Sequence, residues 1–456
     1  MSKPASEPMT QREPASEPSA QCERASEPSK QGEPSTRRDL ALDLADFITA
    51  SPTPYHAVAE AVRRLRAAGF TEQFETAPWP DGPGGRYLVR DGTVLAWFVP
   101  DPAPPGTPMR IFAAHTDSPT LKVKPRPDVG AGGWRQVAVE VYGGALWNSW
   151  LDRDLGLAGR LALFDGSTVL VNVARPLLRV PQLAIHLDRG VNDGLKLDAQ
   201  QHLLPIWGLG VPVEGDLLRF LAGEVDIDPA EIAAHDLVVH DLTPPALLGE
   251  QEELLAAPRL DNLASVHAGI TALLTAAESA SGVIPVFVGF DHEEIGSGSA
   301  TGAAGPLLET VLTRLAGGFD ARGAAFAASR CLSVDVTHAA HPNYLGQHDP
   351  VHRCVPNSGP ALKVNANQRY ATDAPGAAAW ARACRDAGVP SQLFVGRNNV
   401  PCGTTVGPIV ATRLGIRTVD VGIPVLSMHS ARELCGVQDP GYLVAAVTAF
   451  LTDPVG

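Results

Sequence analysis

Cysteine is scarce in this 456-residue chain: six in all, at 22, 331, 354, 384, 402 and 435, with no C-x-x-C pair. That spacing excludes a disulfide scaffold and suits reduced thiols in a cytoplasmic protein. Cys402 stands in PCGTTVG, outside any thiol-protease context. Long apolar runs are also missing. None approaches the ~18 residues that span a bilayer, and the polar, Pro-rich N-terminus has no secretory h-region. Positive charge is short: Lys+Arg is 36 against 50 Asp+Glu, a net charge of −14. Such a chain has no general attraction to phosphate backbones, so neither nucleic acid nor a membrane is an expected partner. No P-loop, no G-x-S-x-G elbow and no H-E-x-x-H occurs, and GSGSATGAAG at 296–305 lacks dinucleotide-site spacing. What is present is apolar material, 45% of the chain. That supports a sizeable core and excludes global disorder. The length suits two to three domains, or one large domain with an insertion.

Residues 1–37 read as a disordered low-complexity leader, in which ASEP recurs at 5–8, 15–18 and 25–28. Folded sequence starts near Arg38. DLALDLADFITAS has helical spacing, and Ser51-Pro52-Thr53-Pro54 starts a second helix that Gly69 stops. Asp91-Gly92 between RYLVR and TVLAWFV signals a hairpin. From 120 to 255 the texture changes to short alternating strands, with a second hairpin signal at Asp165-Gly166 and no long helical period until after Pro229. This stretch reads as an inserted, mainly β domain. From 256 to the end, strands alternate with helices, as they do in 38–119. The fold expected is α/β, a mixed sheet flanked by helices, split by the β insertion.

In an open α/β sheet, functional groups collect past the carboxyl ends of the strands. RIFAA ends on His115-Thr116-Asp117, VFVGF on Asp291-His292-Glu293-Glu294, and LSVDV on Asp335. TVDVGIP leads to LSMHSARE with His429, and Asp261 opens the helix after Pro258-Arg259-Leu260. Alone, each is weak; Asp261 equally suits an N-cap. Together, two His and three carboxylates suit two zinc ions sharing one bridging carboxylate, with a further carboxylate left as general base. Within this set His115 is a natural ligand, with Asp117 holding its second ring nitrogen. The side chains of adjacent Glu293 and Glu294 point apart, so one can ligate while the other faces the attacking water. His338, His341, His348 and His352 form a second cluster without a supporting Cys or carboxylate pattern. One of His338 and His341 is expected to reach the substrate. Lys363, Arg369 and Tyr370 are placed in a loop, as partners for a substrate anion.

With these residues assembled, the sequence resembles the aspartyl aminopeptidase family of dinuclear zinc metallopeptidases. The likeness rests on AAHTDSPTLKVKP, LAIHLDRG, RLDNLAS, FDHEEIGSGSATGA, DVTHAAHPNY, KVNANQRYATD, PCGTTVGPI and SMHSARE. It implies two zinc ions per subunit: His115 and Asp335 on one, Glu294 and His429 on the other, and Asp261 between them. It implies Glu293 as general base, Asp117 orienting His115, and cleavage of N-terminal Asp or Glu from peptides. His186, otherwise an ordinary strand histidine, is implied to enter a neighbouring subunit's site, in a tetrahedral dodecamer with the insertion at 120–255 as its dimerisation domain. Lys363 is the first choice to meet the acidic side chain, with Arg369 and Tyr370 in reserve. The same metal centre also suits a related dizinc amidase or carboxypeptidase.

Overall fold

The computed structural model describes residues 36–454. The leader reading therefore lies outside the described residues except at its end, where it is corrected. Thr36 N-caps the helix Arg37–Ala50 in a capping box with Asp39, so the helix takes in the last leader residue. Thr53 caps the next helix, Pro54–Ala67, which has proline in its first turn.

The main sheet has nine strands in the order Thr71–Glu72, Gly84–Arg90, Thr93–Val99, Ile284–Phe290, Met109–His115, Arg330–Val334, Arg417–Gly422, Ala361–Val364 and Gln392–Val395. The four central strands, from Ile284–Phe290 to Arg417–Gly422, run parallel. Their neighbours Thr93–Val99 and Ala361–Val364 are antiparallel, which makes the sheet mixed. Both faces are covered, so a central strand such as Met109–His115 is buried throughout. Phe112 and Ala114 face a core shared with helices Arg37–Ala50, Pro54–Ala67, Leu260–Ala277, Ala374–Asp386 and Asp439–Thr452. Ile111 and Ala113 face the opposite core, against Leu307–Leu315, Phe319–Ala328 and Val406–Leu414. The Asp91-Gly92 turn closes a hairpin in which Arg90 pairs with Thr93.

The insertion is a six-stranded antiparallel sheet: Thr168–Leu178, Leu155–Leu163, Ile232–Asp241, Thr120–Ala131, Trp134–Tyr142 and Ile206–Leu209. It has its own core around Leu157, Val173 and Leu237. Two details differ from the sequence reading. A helix, Asp216–Glu224, precedes Pro229, and the residues after Pro229 extend as the strand Ile232–Asp241. The inserted sheet also ends at Asp241. Ala246–Leu248 and Leu254–Ala257 join a third sheet with Glu433–Gly436, Pro424–Leu426 and Thr337–His338. Too short to show a period, these five strands were not legible in the sequence. They tie the segments that carry Asp261, Glu433 and His338 to one another.

Candidate active site

Strand register brings the site together. Phe290 pairs with His115 and Ser333 with Ala113, so Asp335 and Asp291–Glu294 leave the sheet at one rim. Asp261 arrives from the start of Leu260–Ala277. Its φ of −78° and ψ of 104° are not helical. Its Oδ1 accepts no hydrogen bond, so the side chain is not spent as an N-cap. Instead its two oxygens face two imidazoles. Oδ1 is 3.2 Å from His115 Nε2, and Oδ2 is 3.3 Å from His429 Nε2. Asp335 lies 3.7 Å from His115 Nε2, and Glu294 lies 3.5 Å from His429 Nε2. Glu293 stands further back, 3.9 Å from His115 Nε2.

These side chains form two groups with metal-ligand spacing, His115–Asp261–Asp335 and Asp261–Glu294–His429, which share Asp261. A third, His115–Glu293–Glu294, overlaps both. Asp261 Oδ1, Glu294 Oε1 and Asp335 Oδ1 are buried and accept no hydrogen bond. A buried carboxylate oxygen without a partner is costly, and a cation removes that cost. The donor set, imidazole nitrogens and carboxylate oxygens, suits zinc. The residues present therefore fit a pair of divalent ions.

The electrostatics agree. Burial, with Asp335 and Asp261 adding to it against His115, pushes the Glu293 carboxyl up to about 7. Burial beside Asp261 raises Glu294 well above the carboxylate range. Burial opposes protonation of His429, yet the Asp261 and Glu294 carboxylates hold its pKa up at about 10. The cluster is thus rich in negative charge and short of cations.

Surrounding groups fix the ligands. His115 Nδ1 faces Asp117, nearer to its carbonyl oxygen at 3.1 Å than to its carboxylate at 3.4 Å. The expected Asp117–His115 partnership is present, but the main chain makes the closer contact. The Asp117 carboxylate accepts the Glu293 and Glu294 N–H groups, each at 3.1 Å, and the Tyr142 hydroxyl at 2.8 Å. Glu433 is buried and accepts the Asp261 N–H at 2.9 Å and the His429 N–H at 2.8 Å. One carboxylate thus ties Asp261 to the loop that carries His429. Sequence reasoning missed both Tyr142 and Glu433. Glu433 closes the SMHSARE motif, and the Gly pair after Tyr142 was a signal of close backbone approach.

Lys363 requires a correction. It lies on the strand Ala361–Val364, not in a loop, and is 2% exposed. Its ammonium donates to Val336 O at 2.7 Å, sits 3.8 Å from Asp335 and 5.3 Å over the Tyr370 ring. Tyr370 is buried, while Arg369 is exposed. Tyr370, His338 and His341 line a cavity of about 290 Å³, which Arg397 also reaches. The other two histidines are engaged locally. His348 Nε2 accepts from His341 N, and His352 pairs with Asp349. Neither belongs to a metal-spaced group among the described residues. His186 is exposed, in the inserted domain between Leu183, Ile185 and Leu187, themselves 56%, 51% and 75% exposed. No helix among the described residues is long and apolar enough to cross a membrane.

Comparison with known proteins agrees with this geometry. The family model for aminopeptidase I zinc metalloproteases, M18, matches residues 47–451. A probable M18 family aminopeptidase 2 of Streptomyces avermitilis is 59% identical over 417 residues, covering 90% of this chain and 96% of that one. Among solved structures, the cryo-EM structure of the Ape4 and Nbr1 complex matches with 38% identity and a TM-score of 0.89. The match covers 91% of this chain and 86% of that one. The S. cerevisiae mApe1 dodecamer matches at 29% identity and a TM-score of 0.80, over 91% of this chain and 96% of that one. With the family model spanning both halves of the main sheet and the insertion between them, the chain belongs to the M18 family of zinc metalloaminopeptidases.

Proposed function

We propose that this metalloaminopeptidase removes N-terminal Asp or Glu from peptides, with Glu293 as general base beside two zinc ions. His115 and Asp335 hold one ion, Glu294 and His429 the other, and Asp261 bridges them. The observation that carries this reading is the Asp261 carboxylate, whose two oxygens face two different imidazoles. Bound zinc supplies Lewis-acid polarisation of the scissile carbonyl and acidifies the attacking water. Glu293 takes a proton from that water and returns it to the leaving amine. Asp117 keeps the Glu pair in place through the two N–H groups it accepts. Testing takes Asp-, Glu-, Leu- and N-blocked substrates on zinc-replete enzyme, before and after chelation. Cleavage of the N-blocked peptide, or full activity in chelator, would count against the reading.

Support for the acidic preference comes from the cavity lined by Tyr370, His338 and His341, with the Lys363 ammonium against the Tyr370 ring. An acidic side chain loses water on entering and needs a cation to compensate. Lys363 lies behind Tyr370 and His338, out of solvent, where its charge is screened little. Arg397 at the rim is exposed and discriminates less. Lys363→Met is expected to lower kcat/KM for Asp and Glu substrates by roughly 2–4 kcal/mol, the scale for truncating one partner of a buried charge pair. Because the ammonium also neighbours Asp335, Leu substrates lose some activity too. The Asp-to-Leu ratio is therefore the diagnostic quantity, and an unchanged ratio would pass the role to Arg397.

We further propose a homo-oligomer, a tetrahedral dodecamer, in which His186 completes a neighbouring subunit's site. The exposed leucines and isoleucine flanking His186 support burial against another copy. His186→Phe is expected to abolish turnover while zinc content holds. Mixing it with Glu293→Gln protein under subunit exchange then restores part of the activity. Absence of recovery in verified mixed oligomers would refute the role in trans.

A further inference from the structure

The insertion does more in this structure than stand beside the catalytic sheet. Its strand Trp134–Tyr142 ends against the metal-spaced cluster, and the next four residues run along it. Gly143 has φ +68°, and a Cβ there would lie 3.1 Å from Glu294 Cβ. Gly144 offers its carbonyl 3.1 Å from His429 Nδ1. That contact leaves His429 Nε2 directed at Asp261 and Glu294. The Leu146 N–H donates to His429 O at 3.0 Å. Ahead of them, the Tyr142 hydroxyl donates to Asp117 Oδ2 at 2.8 Å, the same oxygen that accepts the Glu294 N–H.

From this geometry we propose that Tyr142 is a positioning residue, through which the inserted domain holds Asp117 and hence the Glu293–Glu294 turn. Metal retention and turnover then both depend on a hydroxyl that touches neither metal nor substrate. The chain of contacts is short. Without the hydroxyl, Asp117 Oδ2 keeps only the Glu294 N–H, and rotation of the carboxylate about its Cβ–Cγ bond is opposed only by the two backbone N–H groups and His115 Nδ1. Its other oxygen carries the Glu293 N–H, so rotation loosens general base and ligand together. The hydroxyl remains a donor at working pH, because burial and the Asp117 charge hold the phenol pKa above its usual value. Partners one shell out from a metal commonly matter at this level, with ~10–100-fold effects on affinity or activity.

This inference rests on the two-zinc reading, and the test separates the two. Tyr142→Phe, Asp117→Asn and the double variant are compared with the parent enzyme. The measurements are kcat and KM on Asp substrate, loss of zinc to a competing chelator, and thermal unfolding of zinc-loaded and zinc-stripped protein. Tyr142→Phe is expected to lower kcat about tenfold with KM within about twofold, and to lose zinc ~10–100-fold more readily. The double variant is expected to be no worse than Asp117→Asn, because the two residues act in series. A Tyr142→Phe enzyme that melts earlier yet keeps parental kcat and zinc retention has lost only packing, and that result overturns the proposal. So do additive effects in the double variant, or parental zinc retention in Asp117→Asn. A parent enzyme that binds no zinc, or is indifferent to chelation, overturns the two-zinc reading itself.

Discussion

Glu293→Gln is expected to leave zinc content unchanged while turnover falls about 10²–10⁴-fold. Glutamine keeps the size and hydrogen-bonding shape of the side chain but cannot accept a proton from the attacking water. The main chain at 293 still donates to Asp117, so the turn that carries Glu294 stays in place. Substrate binding should change little, which puts the loss in kcat rather than KM. Metal analysis of the purified variant checks the assignment. Glu293 belongs to one metal-spaced group with His115 and Glu294, so loss of a zinc ion would make Glu293 a ligand and reverse the division of the Glu pair.

Asp261→Ala is expected to have the broadest effect, abolishing activity and lowering occupancy of both zinc sites. It removes the only side chain shared by the His115–Asp335 and Glu294–His429 groups. It also leaves His115 and His429 without the carboxylate that each now faces. An N-cap role alone would cost ~1 kcal/mol of stability and leave metal content intact. Zinc content and thermal unfolding, measured on the same preparation, decide between the two. The zinc-stripped variant is informative in its own right. In the stripped parent, burial opposes ionisation of Asp261, yet His115 and His429, which it faces, hold its pKa below the usual carboxylate range. The alanine removes a favourable contact with both imidazoles. The stripped variant should therefore unfold earlier than the stripped parent, and added zinc should stabilise only the parent.

Much of this centre is legible in the chain itself. His115, Glu293–Glu294, Asp335 and His429 each follow an apolar run that ends abruptly on polar residues. A buried strand can end no other way at the rim of a parallel sheet. Asp261 follows the Pro258-Arg259-Leu260 break. The insertion shows in its alternation of apolar and polar residues, and one of its hairpins is signalled by Asp165-Gly166. The helix Asp216–Glu224 escaped because nine residues give few turns of periodicity. The third sheet escaped because its strands are two to four residues long and pair across distant parts of the chain.

The sequence by itself determined the two-part α/β architecture and the residue types of the metal-spaced cluster. Only the tertiary structure decided which groups meet. It moved Lys363 from a loop to a buried strand beside Asp335, since a four-residue strand carries no period of its own. It showed Asp261 turned outward from its helix to face both histidines. It also brought Tyr142 and Glu433 to the ligands they hold, across sequence separations of 25 residues to Asp117 and 172 to Asp261. Hydrogen bonds of that reach leave no local pattern, because the chain's periodicity reports which face of an element is buried and not what lies against it.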